Sequence, residues 1–144
     1  MKDIASFLLD AAHSGVYAAP ASVSVLKQGA RAGELVWFDL DLAGVTGKAA
    51  FLARCQTVFG LPPSFGHNWD ALADSIEDLS SQPARGYLVH ISNGREFARQ
   101  AQDIDAALKI FAAATTYWMS KGRLFMVLLD AETRGRRTLK TLPV

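Results

Sequence analysis

Residues 64–79 read S-F-G-H-N-W-D-A-L-A-D-S-I-E-D-L, and they carry the strongest local signals in the chain. Gly66 permits a positive φ or a close backbone approach, and Asn68 is a good N-cap for a helix that follows. At roughly 100° per residue, Asp70, Asp74, Glu77 and Asp78 share one arc of that helix, and His67 points the same way. Trp69, Leu72, Ile76 and Leu79 take the opposite side. An amphipathic helix is ordinary, but a polar face holding only carboxylates is not. Asp70/Asp74 and Asp74/Asp78 are like-charged i,i+4 pairs, each costing an isolated helix about 0.2–0.5 kcal/mol. Glu77 and Asp78 also fall near the C-terminus, where the helix dipole disfavours negative charge. Local helix stability does not account for this face. A cationic partner would.

On the N-terminal side, Thr46 is expected to cap a helix reaching Phe59, with Phe51, Leu52, Cys55, Val58 and Phe59 on its buried stripe. Gly60 suits the C′ position, and Pro62-Pro63 stop the helix. Cys55 lies on the apolar stripe and reads as a small core residue rather than a nucleophile. Leu35–Leu42 alternates as a strand that turns acidic at Asp39 and Asp41, which read as loop-capping residues. On the C-terminal side, Tyr87–Ser92 is a second strand containing His90, expected to be half-buried and hydrogen-bonded. Asn93-Gly94 turns the chain into a short helix, and Asp103 or Asp105 starts a longer one ending at Lys121-Gly122. Leu124–Leu129 is a continuous apolar run, as in a parallel strand covered on both faces.

Helical connections between strands imply parallel pairing with right-handed crossovers. The expected fold is α/β, a small parallel sheet of three strands with packed helices, or of four if Val16-Tyr17-Ala18 adds a short edge strand. Residues 1–34 read as an N-terminal elaboration, with a helix over 3–12 and a second opened by Pro20. His13 there reads as a surface or capping residue. Residues 35–130 form the central domain. Residues 131–144 read as a basic tail, solvated or folded as a hairpin onto the sheet edge, with Arg134, Arg136, Arg137 and Lys140 close together.

The 144 residues are one domain's worth of chain. Fifteen Lys+Arg against 14 Asp+Glu leave no bulk charge that argues for nucleic acid. Distribution says more, because no Lys or Arg occurs between Arg54 and Arg85. One cysteine excludes an intramolecular disulfide and fits a reducing compartment. No signal segment or membrane-length apolar run is visible. The expectation is a cytoplasmic protein with no membrane partner.

Val58–Asp74, V-F-G-L-P-P-S-F-G-H-N-W-D-A-L-A-D, resembles the signature of the barstar family, intracellular inhibitors of secreted ribonucleases. The family pattern is an apolar helix end, Leu-Pro, an aromatic-Gly turn, and Asn-x-Asp-Ala-Leu-x-Asp. The flanking elements match from Leu35 to about Asp130, roughly two-thirds of the chain. The resemblance implies inhibition by occlusion, in which the acidic helix and its preceding turn plug the enzyme's cationic cleft and carboxylates replace RNA phosphates. Asp70 and Asp74 match the family's two Asp positions. The implied contact surface is Ser64, Phe65, Gly66, His67, Asn68, Asp70, Ala73, Asp74, Glu77 and Asp78. Ser64 stands where the best-known member has an aromatic contact, Ala73 and Leu79 stand at two Trp positions, and about Ala113 replaces a further acidic contact. Glu77 and Asp78 extend the acidic face instead.

The first reading is therefore a catalytically inert inhibitor of a basic ribonuclease, with no cofactor and no direct nucleic-acid contact. A second keeps the fold but exchanges the ribonuclease for another basic partner, motivated by the missing aromatic anchors. A third is a metal-dependent hydrolase using His67, Asp70 and Asp74. It lacks a second ligand cluster, since His13 and His90 fall on unrelated elements.

Overall fold

A computed structural model describes residues 3–143. In chain order the elements are α1 (Ile4–Leu8), a 3-10 turn (Ala11–His13), β1 (Gly15–Ala18), α2 (Ser24–Ala32), β2 (Val36–Asp41), α3 (Lys48–Phe59) and α4 (Trp69–Ile76). They continue with β3 (Gly86–Ser92), α5 (Arg95–Ala98), α6 (Ala101–Ser120), β4 (Leu124–Leu129), α7 (Ala131–Arg134) and β5 (Lys140–Thr141). All strands are parallel, in the order β2-β3-β4-β1-β5.

The α/β class and the parallel sheet are as expected, but the sheet has five strands, not three or four. Two short strands make the difference. β1 does not sit at the edge: it pairs with β4 through Gly15–Met126 to Ala18–Leu129 and with β5 through Tyr17–Lys140 and Ala18–Thr141. Residues 131–143 are neither a solvated tail nor a hairpin. They form α7 and then β5, parallel to β1. A two-residue strand has no period to read, so only its tertiary pairing defines it.

Side-chain alternation builds two cores. Phe38 and Leu40 of β2, Tyr87, Val89 and Ile91 of β3, and Phe125, Val127 and Leu129 of β4 face α3, α4 and α6. Leu88, Leu124, Met126 and Leu128 face the other way, against Phe7, Leu8, Leu26 and Ala30 of the N-terminal helices. β4 is buried along its whole length, which explains its unbroken apolar run. The helices lie where right-handed crossovers put them, with the β2-to-β3 and β3-to-β4 connections on one face and the β1-to-β2 connection on the other.

Local chemistry fixes the helix ends. Gly60, at φ 64°, closes α3 in the left-handed conformation, and the Leu61 N–H returns to the Gln56 carbonyl at 2.9 Å. Gly47 rather than Thr46 holds the N-cap of α3, with no side-chain capping bond. Cys55 is fully buried in the first core, and burial pushes its thiol pKa up, away from reactivity.

At the carboxyl ends of the strands a polar lattice joins three of them. The Asn93 side chain donates to Asp41 at 2.9 Å, the Asn93 backbone N–H donates to Asp130 at 2.8 Å, and Asp130 caps α7 through the Thr133 N–H at 2.8 Å. Asp41 therefore does the loop-capping work expected of it, also accepting the Ala43 N–H at 3.0 Å. These two donors, Asn93 first, hold the Asp41 carboxyl below the usual carboxylate range. A carboxyl with a lowered folded pKa stabilises the fold above its unfolded pKa, and that contribution is lost as pH falls through the folded value. An NMR titration should place the Asp41 midpoint below that of an unpartnered aspartate. Asn93→Gly, which keeps the positive φ of Asn93 (57°) but removes the donor, should move that midpoint upward. His90 is half-buried as expected, but its Nδ1 lies 3.7 Å from Asp39 Oδ1, beyond hydrogen-bonding distance.

Candidate functional site

The turn before α4 is built from its own side chains. Phe65 is buried, 6% exposed, and anchors the turn in the first core. Gly66 is needed for close approach rather than for a positive φ: a Cβ there would lie 3.2 Å from the Asn68 side chain and 3.3 Å from Ala71 Cβ. The positive φ falls on His67, at 50°, a conformation that histidine adopts more readily than most residues. His67 Nδ1 bonds the Phe65 carbonyl at 2.9 Å, and its ring packs against Phe65 with centroids 4.9 Å apart. Asn68 caps α4 by accepting the Ala71 N–H at 2.7 Å, and its amide donates to the Gly66 carbonyl at 3.2 Å.

The apolar side of α4 is held firmly. Leu72 and Ile76 are fully buried, and Trp69 packs at 5.8 Å from the ring of Phe51. At its far end, the Trp118 indole of α6 donates to the Ile76 carbonyl at 2.9 Å in a buried setting. This positioning residue was legible only as part of the apolar stripe of α6; nothing in its spacing pointed to the α4 terminus. Trp118→Phe leaves a buried carbonyl unsatisfied and should lower unfolding free energy by about 1–3 kcal/mol in a denaturant titration. Unchanged stability would mean that water replaces the indole.

The acidic face is divided. Asp70 and Asp74 are exposed on α4. α4 ends at Ile76, so Glu77 is its C-cap and Asp78 lies beyond it. Leu79, at φ 45°, turns the chain back so that its side chain re-enters the core, only 3% exposed. Asp78 accepts a hydrogen bond from the Ser80 hydroxyl at 2.9 Å. Asp78 and Arg123 also act in opposite senses on the Tyr87 hydroxyl, whose pKa is raised first by burial. Asp78 thus lies in a more occupied setting than Asp70 and Asp74.

Five acids elsewhere are paired, while Asp3, Asp10, Asp41, Asp103 and Asp130 meet no Lys or Arg among the described residues. Glu34, Asp39, Glu96, Asp105 and Glu132 each meet a Lys or Arg at 2.5–3.8 Å. Among the described residues, Asp70, Asp74, Glu77 and Asp78 meet none. Lys48 approaches α4 over the Trp69 ring, 5.6 Å from its centroid, and pairs with none of these carboxylates. Ser64 is exposed at the start of the surface, and Ala73 is half-buried beside Asp74. Ala113 of α6 is exposed and carries no charge. No group of three or more His, Cys, Asp or Glu is placed to hold a metal among the described residues, and His67 turns its Nδ1 to a carbonyl rather than towards Asp70 or Asp74. No helix is long and apolar enough to cross a membrane among those residues.

Fold and site together define a parallel α/β protein that displays Asp70 and Asp74 on an exposed helix face with no ion-pair partner among the described residues. The chain belongs to the barstar family: residues 35–130 match the family described as Barstar (barnase inhibitor). No curated protein matches the chain. Among solved structures it is similar to the Aeropyrum pernix ORC2 protein in its ADPNP-ADP complexes, at 12% identity and a TM-score of 0.52. That alignment covers 90% of this chain and 40% of the ORC2 chain, so this chain spans well under half of that protein's length. Such a likeness shows the α/β fold alone.

Proposed function

We propose that this protein inhibits a basic ribonuclease by seating α4 and the turn before it in the enzyme's cationic cleft, and that it has no catalytic activity of its own. The observation that carries this reading is the pair Asp70 and Asp74, exposed on a rigid helix with no Lys or Arg partner among the described residues. A ribonuclease must gather cations around its scissile phosphate, and preorganised carboxylates can satisfy them through short, charge-assisted hydrogen bonds. Opposite fields also speed the encounter. Membership of the barstar family supports the same conclusion.

In this reading, Ser64, Phe65, Gly66, His67 and Asn68 shape the approach, Asp70 and Asp74 supply the central charges, and Ala73, Glu77 and Asp78 border them. Residues 35–130 carry the recognition surface, while residues 1–34 and 131–143 complete the sheet beneath it. The partner is a protein, with no direct contact to nucleic acid, and the site of action is the cytoplasm. Titration into a panel of basic bacterial ribonucleases tests it: loss of RNA cleavage at equimolar protein supports inhibition.

A second reading, docking to a different basic protein, is favoured by one observation. Ser64 and Ala113 are exposed and Ala73 is half-buried, and among the described residues no Phe, Tyr or Trp side chain is exposed to serve as an anchor of the kind that dominates tight interfaces. Binding of a basic partner without any effect on ribonuclease activity would select it.

A further inference from the structure

The hydrogen bonds of the turn before α4 determine which face of His67 a partner meets. The Phe65 oxygen can only accept, so the 2.9 Å contact requires that His67 Nδ1 carry the proton. A neutral imidazole has one N–H, which leaves the lone pair on Nε2. The ring packs against buried Phe65 with centroids 4.9 Å apart, and its backbone holds a positive φ between Gly66 and the N-cap Asn68. The Gly66 and Phe65 carbonyls and the Asn68 side chain are already engaged within the turn. His67 is exposed, and among the described residues its Nε2 meets no partner.

We infer that His67 is a specificity-determining residue, whose Nε2 accepts a hydrogen bond from an Arg or Lys of the ribonuclease beside the cations that Asp70 and Asp74 meet. This rests on the inhibitor reading above and refines it. In the Nδ1–H tautomer, Nε2 gives this surface a third acceptor in addition to the two carboxylates. It therefore selects a cleft that presents a third N–H donor next to the pair engaged by the two aspartates. Mutual exclusion works in the same direction, since a partner with an acceptor at that point would face the Nε2 lone pair and lose a hydrogen bond.

Two measurements on the full chain test this. Long-range 1H–15N NMR of the free protein should show His67 as the Nδ1–H tautomer. An Nε2–H tautomer overturns the inference whatever the protein binds. Affinity is then measured for the panel of basic bacterial ribonucleases, barnase among them, using wild type, His67→Asn and His67→Gly. Both substitutions tolerate the positive φ, and both should weaken binding by roughly 10- to 100-fold, the usual value of a hydrogen bond to a charged group. Wild-type binding that is unchanged in both variants overturns this inference and leaves the inhibitor reading standing. Failure of the wild type to bind any ribonuclease overturns both.

Discussion

Replacing Asp74 by alanine is expected to weaken ribonuclease binding by about 2–5 kcal/mol, because it leaves cations of the enzyme buried without a partner. Stability should stay level or rise slightly. Asp74 has no internal ion pair among the described residues, and it lies one turn from Asp70 on the same exposed face. Removing it relieves a like-charge i,i+4 contact of about 0.2–0.5 kcal/mol. Calorimetric titration and a thermal melt of the same variant separate the two effects. A large loss of stability with unchanged binding would show that Asp74 serves the fold rather than a partner.

The second large effect concerns residues outside the matched family segment. Deleting residues 1–34 removes β1 from between β4 and β5, so β5 loses its sheet neighbour and β4 becomes an open edge. It also strips Phe7, Leu8, Tyr17 and Leu26 from the second core, exposing Leu88, Met126 and Leu128 beneath. At about 1.5–3 kcal/mol for each large apolar side chain, the loss rivals the roughly 5–15 kcal/mol that holds a whole domain together. An unpaired, apolar strand edge is in addition a template for association. The truncated chain should aggregate or show no cooperative unfolding transition. A monomer that melts cooperatively near the full-length midpoint would mean that residues 35–144 form a self-sufficient unit.

Much of the centre of this protein is legible from its residues. The α4 cap, its buried stripe, the Gly60 stop and the three long strands all follow from local chemistry and alternation, because each is specified by contacts within a few residues. β5 and the interior position of β1 are not legible in that way. Lys140-Thr141 has no pattern of its own, and Val16-Tyr17-Ala18 reads the same whether one neighbour lies beside it or two. Which strand lies next to which is a long-range fact. The end of α4 is set by long-range contacts as well. Helical phase places Glu77 and Asp78 on the same face as Asp70 and Asp74, but α4 ends at Ile76, Leu79 turns inward and Trp118 takes the Ile76 carbonyl. Asp70 and Asp74 lie on α4 itself, whereas Asp78 follows it and accepts a hydrogen bond from Ser80.

The most direct test of ribonuclease inhibition is an activity titration. Increasing amounts of the protein are added to each basic bacterial ribonuclease at fixed substrate, with the Asp70→Ala/Asp74→Ala double variant run in parallel. For at least one enzyme, RNA cleavage should fall to zero at one equivalent of wild type and persist with the double variant. Full activity of every enzyme in the presence of excess wild type, or equal inhibition by the double variant, would contradict the proposed inhibition.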